Sequence, residues 1–418
     1  MAIRLSILDQ SPIYEGESAT QAFQHTIELA QRAEQLGYHR FWVSEHHDSA
    51  NVVGSSPEVL ISHLLAKTNT IRLGSGGVML QHYSPYKVAE NFNVLAALGP
   101  DRIDLGIGRA PGGLPRSTRA LQQGGGGSIE AATDHGGTGV SNNAGVAPSL
   151  EDKLVELRHF LQDELPGEHP LHGLRATPVV TSPPELFVLG ASVDSARMAG
   201  RLGLPYVFSL FINGDVTVAE EAFRQYRASF EATSQEASHI QSQQRTLAQS
   251  HTETQEDTHI QSHTPAQQYV HAQSHTESPT IAHSEAHIDA DAFHGHKPYV
   301  VLALSVIVAD SEAEAEALAG EHMLVKIHLE SGKTLTVASI EQAEEYGRQS
   351  AEAYRIEVLE PNVIRGTREV VEQRLRELHA KLSVDELVVT TATRVFAHRI
   401  RTFELLSHAL RSFEEQVI

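Results

Sequence analysis

The chain has 418 residues, with 32 lysines and arginines against 53 aspartates and glutamates, so its formal net charge is −21. It contains no cysteine, which excludes disulfides, zinc–thiolate sites, iron–sulfur clusters and thiol nucleophiles. The acidic excess argues against a nucleic-acid partner, because nucleic-acid phosphates require a basic surface.

The N-terminal residues include no apolar run of signal-peptide length. The longest apolar run, at 299–309, is far shorter than the roughly 20 residues that span a bilayer. We therefore expect a soluble, cytoplasmic protein that has no membrane partner. The length is compatible with two or three domains, although an α/β barrel folds as one domain of about 250 residues or more.

Eight short apolar runs predict buried β-strands. Several are continuous rather than alternating, which is typical of parallel strands covered on both faces. The strands are predicted at 3–9, 40–44, 71–77, 103–107, 186–189, 206–209, 299–309 and 386–391.

Amphipathic patterns between these runs predict helices. The first has a plausible cap in Ser18 and a stop in Gly37. The helices that follow strands are predicted at 18–36, 57–67, 85–98, 192–202, 218–230, 311–322 and 396–410, and three more at 149–163, 339–354 and 367–382.

Two stretches differ in composition from the rest. Residues 233–296 hold ten of the 25 histidines among many Gln, Ser and Thr, with few residues that could build a core. A solvated insertion is the favoured interpretation, and a metal-buffering tract is the alternative. Residues 122–148 open with Gly124-Gly-Gly-Gly127. A surface loop is favoured there over a phosphate cradle, because the glycines neither follow a strand nor open a helix with a GK[ST] motif.

The remaining pattern of alternating strands and helices predicts an α/β fold, a TIM (β/α)8 barrel. We expect one domain over 1–418 with the two insertions, and a doubly wound sheet is the alternative architecture. In a barrel the chemistry lies at the C-terminal ends of the strands. Those ends are therefore the places to look for functional residues.

The fifth predicted strand ends in Gly190-Ala191-Ser192-Val-Asp-Ser195, which opens a helix. Free backbone N–H groups and two hydroxyls at a helix start suit a phosphate. Arg109, at the end of the fourth strand, could supply a counter-charge. An ordinary serine N-cap is the alternative. Glycines at the ends of the third and fourth strands favour the site, because they let a flat ligand approach closely.

The second predicted strand ends in Glu45-His46-His47. Neighbouring side chains on a strand point in opposite directions, and no third ligand follows from the spacing, so we predict no metal site. Acid–base work or ligand contact by one imidazole is the better functional interpretation. Satisfied core histidines are the alternative, more so for His47 than for His46.

Together these segments resemble the luciferase-like flavin-dependent monooxygenases, the bacterial luciferase superfamily, in its branch of short uncharacterised oxidoreductases. The resemblance covers the chain outside the two insertions. It rests on Phe41-Trp-Val-Ser-Glu-His-His47, Ile71-Arg-Leu-Gly-Ser-Gly-Gly-Val-Met-Leu80, Ser84-Pro-Tyr-Lys-Val-Ala-Glu90, Asp101-Arg-Ile-Asp-Leu-Gly-Ile-Gly-Arg-Ala-Pro-Gly112, Leu189-Gly-Ala-Ser192, Arg201-Leu-Gly-Leu-Pro205 and Asp385-Glu-Leu-Val-Val-Thr-Thr391.

The resemblance implies FMN at the barrel mouth, reduced by a separate flavin reductase, and oxygenation of a small organic substrate by O2 through a C4a-peroxyflavin. It implies that His46 is catalytic and that a cis peptide joins Gly76 to Gly77 beneath the flavin ring. The implied phosphate contacts are Arg109, Arg119, Ser192 and Ser195, next to Gly190 and Ala191. A homodimer is also implied.

One departure from the family concerns Gly108, which stands where the active-site subunit of luciferase has a reactive cysteine. The long insertion at 233–296 falls where the family commonly has a mobile lid, so it bears on the substrate. Two alternatives to the FMN-dependent monooxygenase remain: a deazaflavin-dependent oxidoreductase on the same barrel, and a non-catalytic flavin-binding protein.

Overall fold

Eight parallel strands close on themselves to form a barrel. The computed structural model describes residues 3–109, 112–122, 148–235, 297–320, 323–337 and 339–415, and elements are numbered in chain order within them. The barrel strands are β1 (Arg4–Asp9), β2 (Arg40–Val43), β3 (Arg72–Val78), β4 (Ile103–Ile107), β5 (Glu185–Gly190), β6 (Tyr206–Ser209), β7 (Val300–Val308) and β12 (Glu386–Thr390).

The closure of the sheet confirms the predicted TIM barrel. Each barrel strand pairs in parallel with the next, and β12 completes the ring between β7 and β1. Every residue of β2, β4, β6 and β12 is buried, because helices cover the outside and side chains fill the inside. The alternative of an open, doubly wound sheet is wrong.

Helices surround the barrel, and all ten predicted ones are present with shifted ends. The bounds are α1 (Ala19–Leu36), α2 (Pro57–Leu65), α3 (Pro85–Leu98), α4 (Pro115–Gln122), α5 (Leu150–Gln162), α6 (Val193–Arg201), α7 (Leu210–Asn213), α8 (216–235), α9 (Glu312–Ala319), α10 (Ile340–Ser350), α11 (Arg368–Leu382) and α12 (Phe396–Glu415). The short helices α4 and α7 were not predicted. None of the helices in the described ranges is long and apolar enough to cross a membrane.

A small antiparallel sheet between β7 and β12 was not predicted either. It consists of β8 (Leu324–Leu329), β9 (Thr334–Val337) and β10 (Tyr354–Leu359), in the order β10-β8-β9. A further strand, β11 (Val363–Gly366), extends the barrel sheet beside β7. The predicted helix at 339–354 is too long. It ends at Ser350 because Ala351 takes a left-handed conformation that turns the chain towards β10.

The two predicted insertions fall almost entirely outside the described residues. Of 122–148, only Gln122, the last residue of α4, and residue 148 are described. Of 233–296, only 233–235 are described, and they continue α8. The solvated-loop, metal-buffering and lid interpretations therefore concern residues that the structure does not describe.

A buried ionic network closes the N-terminal end of the barrel, called the floor below. Its centre is Arg40, the first residue of β2, whose side chain is 2% exposed. The guanidinium binds Asp104 and Glu185, each at 2.8 Å, and Glu386 at 3.1 Å. Trp42 donates its indole N–H to Asp104 at 2.8 Å. The floor is therefore saturated with charge-assisted hydrogen bonds.

Candidate active site at the mouth of the barrel

His46 lies in the segment that follows β2, at the C-terminal end of the barrel, called the mouth below. Its Nδ1 lies 3.0 Å from Ser44 Oγ, and its backbone N–H donates to Gly54 O at 2.7 Å. Burial, reinforced by the charge of His47, lowers the pKa of the imidazole below its ordinary value. Its Nε2 makes no hydrogen bond within the described part of the chain, so this nitrogen is available to a ligand.

His47 points into a different network, centred on Glu45. The Glu45 carboxylate is 1% exposed, and its Oε1 lies 2.7 Å from His47 Nε2. The same oxygen accepts the Tyr83 hydroxyl at 2.7 Å, and Oε2 accepts the Met79 N–H at 3.0 Å. Glu45 therefore ties the end of β2 to the chain that follows β3. Sequence reasoning missed Glu45 and Tyr83, although Glu45 stands inside the motif that drew attention to the histidines.

The peptide between Gly76 and Gly77, at the end of β3, is cis. A Cβ on Gly76 would lie 2.6 Å from the Leu8 side chain, and one on Gly77 would lie 2.5 Å from Gly106 O. Backbone atoms of β4 thus already require glycine at Gly77, whereas the close atom at Gly76 is the end of the Leu8 side chain. The predicted reason, close approach of a flat ligand, is not needed to explain Gly77.

The start of α6 forms a compact turn at the mouth. Ser192 caps the helix by accepting the Ser195 N–H at 3.3 Å. The Ser195 hydroxyl is buried, donates to Ser192 O at 2.8 Å and lies 2.9 Å from the Tyr206 hydroxyl. A Cβ on Gly190 would lie 2.1 Å from Ser195 Oγ, so this turn requires glycine. Ser195 therefore shapes the turn, whereas Ser192, preceded by Ala191, is only half-buried.

Two arginines were predicted near this turn, and the structure places them differently. Arg109 is exposed just after β4, and its positive charge acts on the Tyr206 hydroxyl beside Ser195. Burial raises the pKa of Tyr206 to about 12, and the hydrogen bonds with Ser195 and Ser192 oppose the rise more strongly than this positive charge does. Arg119 is exposed on α4 and forms no hydrogen bond or ion pair with any other described residue. The charge of Arg109 therefore acts on the hydroxyl beside Ser195.

A cavity of about 300 Å³ lies outside the barrel, between α2 and α3. Tyr83 and Val78 form part of its wall, and Glu58 contributes a carboxyl. Burial and the nearby charge of Glu45 raise the pKa of that carboxyl. His46, Arg109 and Ser192 are not among the described residues that line this cavity, and Tyr83 connects its wall to the Glu45 network.

The fold and the site together define a class of protein. It is a (β/α)8-barrel enzyme whose mouth holds a partly buried histidine and the capped start of a helix. The family model described as luciferase-like monooxygenase matches residues 3–120. An N-acetyl-S-alkylcysteine monooxygenase of Bacillus subtilis (strain 168) is 37% identical over 408 residues, which cover 98% of each chain. The chain belongs to the luciferase-like monooxygenase family and is an oxidoreductase of that kind.

Solved structures share the architecture over the whole length. The crystal structure of apo-MsnO8 has a TM-score of 0.64 at 27% identity and covers 98% of each chain. The oxygenating constituent of 3,6-diketocamphane monooxygenase from Pseudomonas putida, solved with FMN, has a TM-score of 0.58 at 16% identity. The match covers 99% of this chain and 98% of the Pseudomonas putida chain. This second likeness bears on the fold alone.

Proposed function

We propose that this protein is an FMN-dependent monooxygenase that uses reduced FMN and O2 to oxygenate a small organic substrate. The observation that carries the proposal is the Ser192-capped start of α6 at the mouth that also holds His46, with Arg109 just after the neighbouring strand β4. A helix N-terminus beside an arginine suits a phosphate monoester, which is the anionic end of FMN.

The residues present fit FMN. Ser192, the N–H groups of the first turn of α6 and Arg109 would hold the phosphate. Asp194, the one carboxylate in that turn, has a side chain that is 85% exposed, so it points away into solvent. Gly76 and Gly77 would lie beneath the ring system, and Gly190 with Ala191 beside it. When bound, reduced FMN supplies the electrons that activate O2.

His46 would act as the acid–base group that accepts and returns a proton in the reaction. Because burial lowers the pKa of its imidazole, the ring is neutral at pH 7. With Nδ1 bonded to Ser44, Nε2 can accept a proton from a bound group and return it. Ser44 and Gly54 orient the ring, and Glu45 keeps the neighbouring His47 turned into its own network.

The substrate proposal comes from the relative named above. Its name describes oxygenation of N-acetylated, S-alkylated cysteines, which are thioethers. We therefore propose small thioethers as the first substrates to test, with amines and aldehydes as comparison classes.

Two partners complete the proposal. A separate flavin reductase would deliver reduced FMN. A second copy of the chain would cover the outer face of α2 and α3, where Val59, Val94 and Leu98 are 67%, 45% and 64% exposed. Exposed apolar side chains grouped on neighbouring helices are typical of a subunit interface.

The test has two parts. Anaerobic titration with reduced FMN and with reduced deazaflavin measures which cofactor binds. Turnover is then measured with a flavin reductase, NADH, ¹⁸O2 and an N-acetyl-S-alkylcysteine, and mass spectrometry follows the label. We expect FMN binding and one labelled oxygen in the product. Deazaflavin binding without FMN affinity would replace the proposal by a deazaflavin-dependent oxidoreductase. FMN binding without any turnover would replace it by a non-catalytic flavin-binding protein.

A further inference from the structure

A buried ion pair joins the first strand of the barrel to the last helix. Asp9, the last residue of β1, has no exposed surface, and Arg399 in the first turn of α12 is 1% exposed. The Arg399 guanidinium donates to Asp9 Oδ1 across 390 positions of sequence. The pair lies at the mouth, where β1 and β12 are neighbours.

Asp9 in turn holds the loop that follows β1. Its Oδ1 also accepts the Ser11 N–H at 2.9 Å, and its backbone O accepts the Ser44 N–H at 3.0 Å. Ser11 has a φ of 50°, a left-handed conformation that residues other than glycine rarely adopt. The Asp9 carboxylate therefore supports an unfavourable turn by bonding its N–H.

The Ser11 turn is bonded to residues 52–53, and the next residue is bonded to His46. Ser11 O accepts the Val53 N–H at 3.0 Å, and a bridge pairs Pro12 with Val52. The next residue, Gly54, accepts the His46 N–H at 2.7 Å. Two contacts orient the imidazole: Gly54 bonds the backbone of His46, and Ser44 lies beside Nδ1. Ser44 is itself bonded to Asp9, and Gly54 follows Val53, which is bonded to Ser11.

The pair is less fully bonded than the ionic network at the floor. The Arg399 guanidinium meets a single carboxylate and faces the Tyr14 hydroxyl, and Asp9 Oδ2 is buried without a hydrogen-bond partner in the described residues. Buried polar groups left in this state lower stability. Stability therefore gives no sufficient reason for this pair, and the property on which the Ser11 turn depends is the geometry that the pair imposes.

We propose that the Asp9–Arg399 ion pair is a positioning element for His46, acting through the Ser11 turn and residues 51–54. The proposal rests on the function proposed above, because it assigns His46 a role in the reaction. Neither residue of the pair touches a reacting atom; both act through the loop that they hold.

The test compares three variants of the full chain. Arg399→Met removes the charge, Arg399→Lys keeps the charge but loses the guanidinium geometry, and Arg72→Met breaks an ion pair with Asp104 at the floor as the matched control. With FMN, reductase and thioether, we expect Arg399→Met to lower kcat on the order of tenfold or more, with KM and the Kd for FMN within about twofold. Arg399→Lys should recover part of the loss, and Arg72→Met should keep the wild-type kcat.

Non-additivity separates positioning from general damage. In a His46→Ala background, the Arg399→Met change should lower the residual rate no further, because there is no imidazole left to orient. A further tenfold loss in that background, or an equal kcat loss in Arg72→Met, would overturn the proposal.

A cofactor-free measurement keeps the test independent of the proposed function. The ¹⁵N signal of His46 Nδ1, assigned by its loss in His46→Ala, reports the bond to Ser44. It should shift in Arg399→Met and stay in place in Arg72→Met, and an unchanged signal in Arg399→Met would refute the positioning role. If Arg399→Met does not fold, Asp9→Asn, which keeps the acceptor for Ser11, takes its place in the same measurements.

Discussion

The floor and the mouth of the barrel each bury an arginine against carboxylates, yet the two sites differ in how completely their polar atoms are satisfied. At the floor, Arg40 meets three carboxylates, and no side-chain atom of this group is buried without a partner in the described chain. At the mouth, Arg399 meets one carboxylate, and the second oxygen of that carboxylate, Asp9 Oδ2, is buried without a partner in the described chain. The difference leads to opposite expectations for substitutions at the two ends: loss of stability at the floor and loss of geometry at the mouth.

The largest effect is expected on catalysis at the mouth. His46→Ala should lower kcat by about 10²–10⁴-fold, because the base in the proposed reaction is lost. The free energy of unfolding, measured with urea, should change by about 1 kcal/mol or less. A kcat within threefold of wild type would remove His46 from the mechanism.

The opposite result is expected at the floor. Arg40→Met should lower the free energy of unfolding by about 3–5 kcal/mol, because Asp104, Glu185 and Glu386 lose a shared partner. The folded fraction should still bind FMN with unchanged affinity. Urea denaturation and flavin fluorescence test the two statements, and a loss below about 1 kcal/mol would contradict the assignment of the floor to stability.

A smaller and more selective effect is expected at the start of α6. Ser192→Asp keeps a good N-cap but places a carboxylate against the proposed phosphate, so FMN affinity should fall about tenfold or more while the helix stays capped. Ser339→Asp, at the cap of α10, is the matched control because Ser339 likewise accepts an N–H three residues on. Flavin fluorescence quenching measures both. Unchanged FMN affinity in Ser192→Asp would show that the phosphate assignment is wrong.

The smallest expected effect is a difference between the pH at which activity falls and the pH at which stability falls. Burial lowers the pKa of His46 from its ordinary 6.5, so kcat should stay level down to pH 6.5 and fall only below it. Burial alone would raise the pKa of Glu386, but the charges of Arg40 and His39 and the hydrogen bonds from Ser6 and Tyr299 together outweigh this and hold the pKa below the ordinary 4.5.

The sign of the second effect follows from linkage. A carboxylate with a lowered folded-state pKa stabilises the fold above its unfolded pKa, and this contribution is lost as the pH falls through the folded value. Stability from the floor should therefore persist to about pH 4.5, so acid should reduce activity before it unfolds the chain. Simultaneous loss of kcat and of stability on acidification would contradict this separation.

The sequence predicted the eight barrel strands and ten of the helices because their burial patterns and caps are local. It missed β10 because both faces of that strand are largely exposed, so no alternation marks it. It singled out Glu45-His46-His47 from their place at a strand end. It could not show that His46 bonds Ser44 while His47 bonds Glu45, because side-chain direction at a loop depends on the neighbours that the fold supplies.

The sequence by itself determined the eight barrel strands and the strand ends that carry His46 and Ser192, since these follow from hydrophobic pattern and short motifs, whereas the closure of the sheet into a barrel was decided by the tertiary structure. Only the tertiary structure decided which polar groups are satisfied. Tyr83 reaches Glu45 across 38 positions and Arg399 reaches Asp9 across 390. Such pairs form when the barrel closes, because closure brings the first strand against the last helix and removes water from the charges between them.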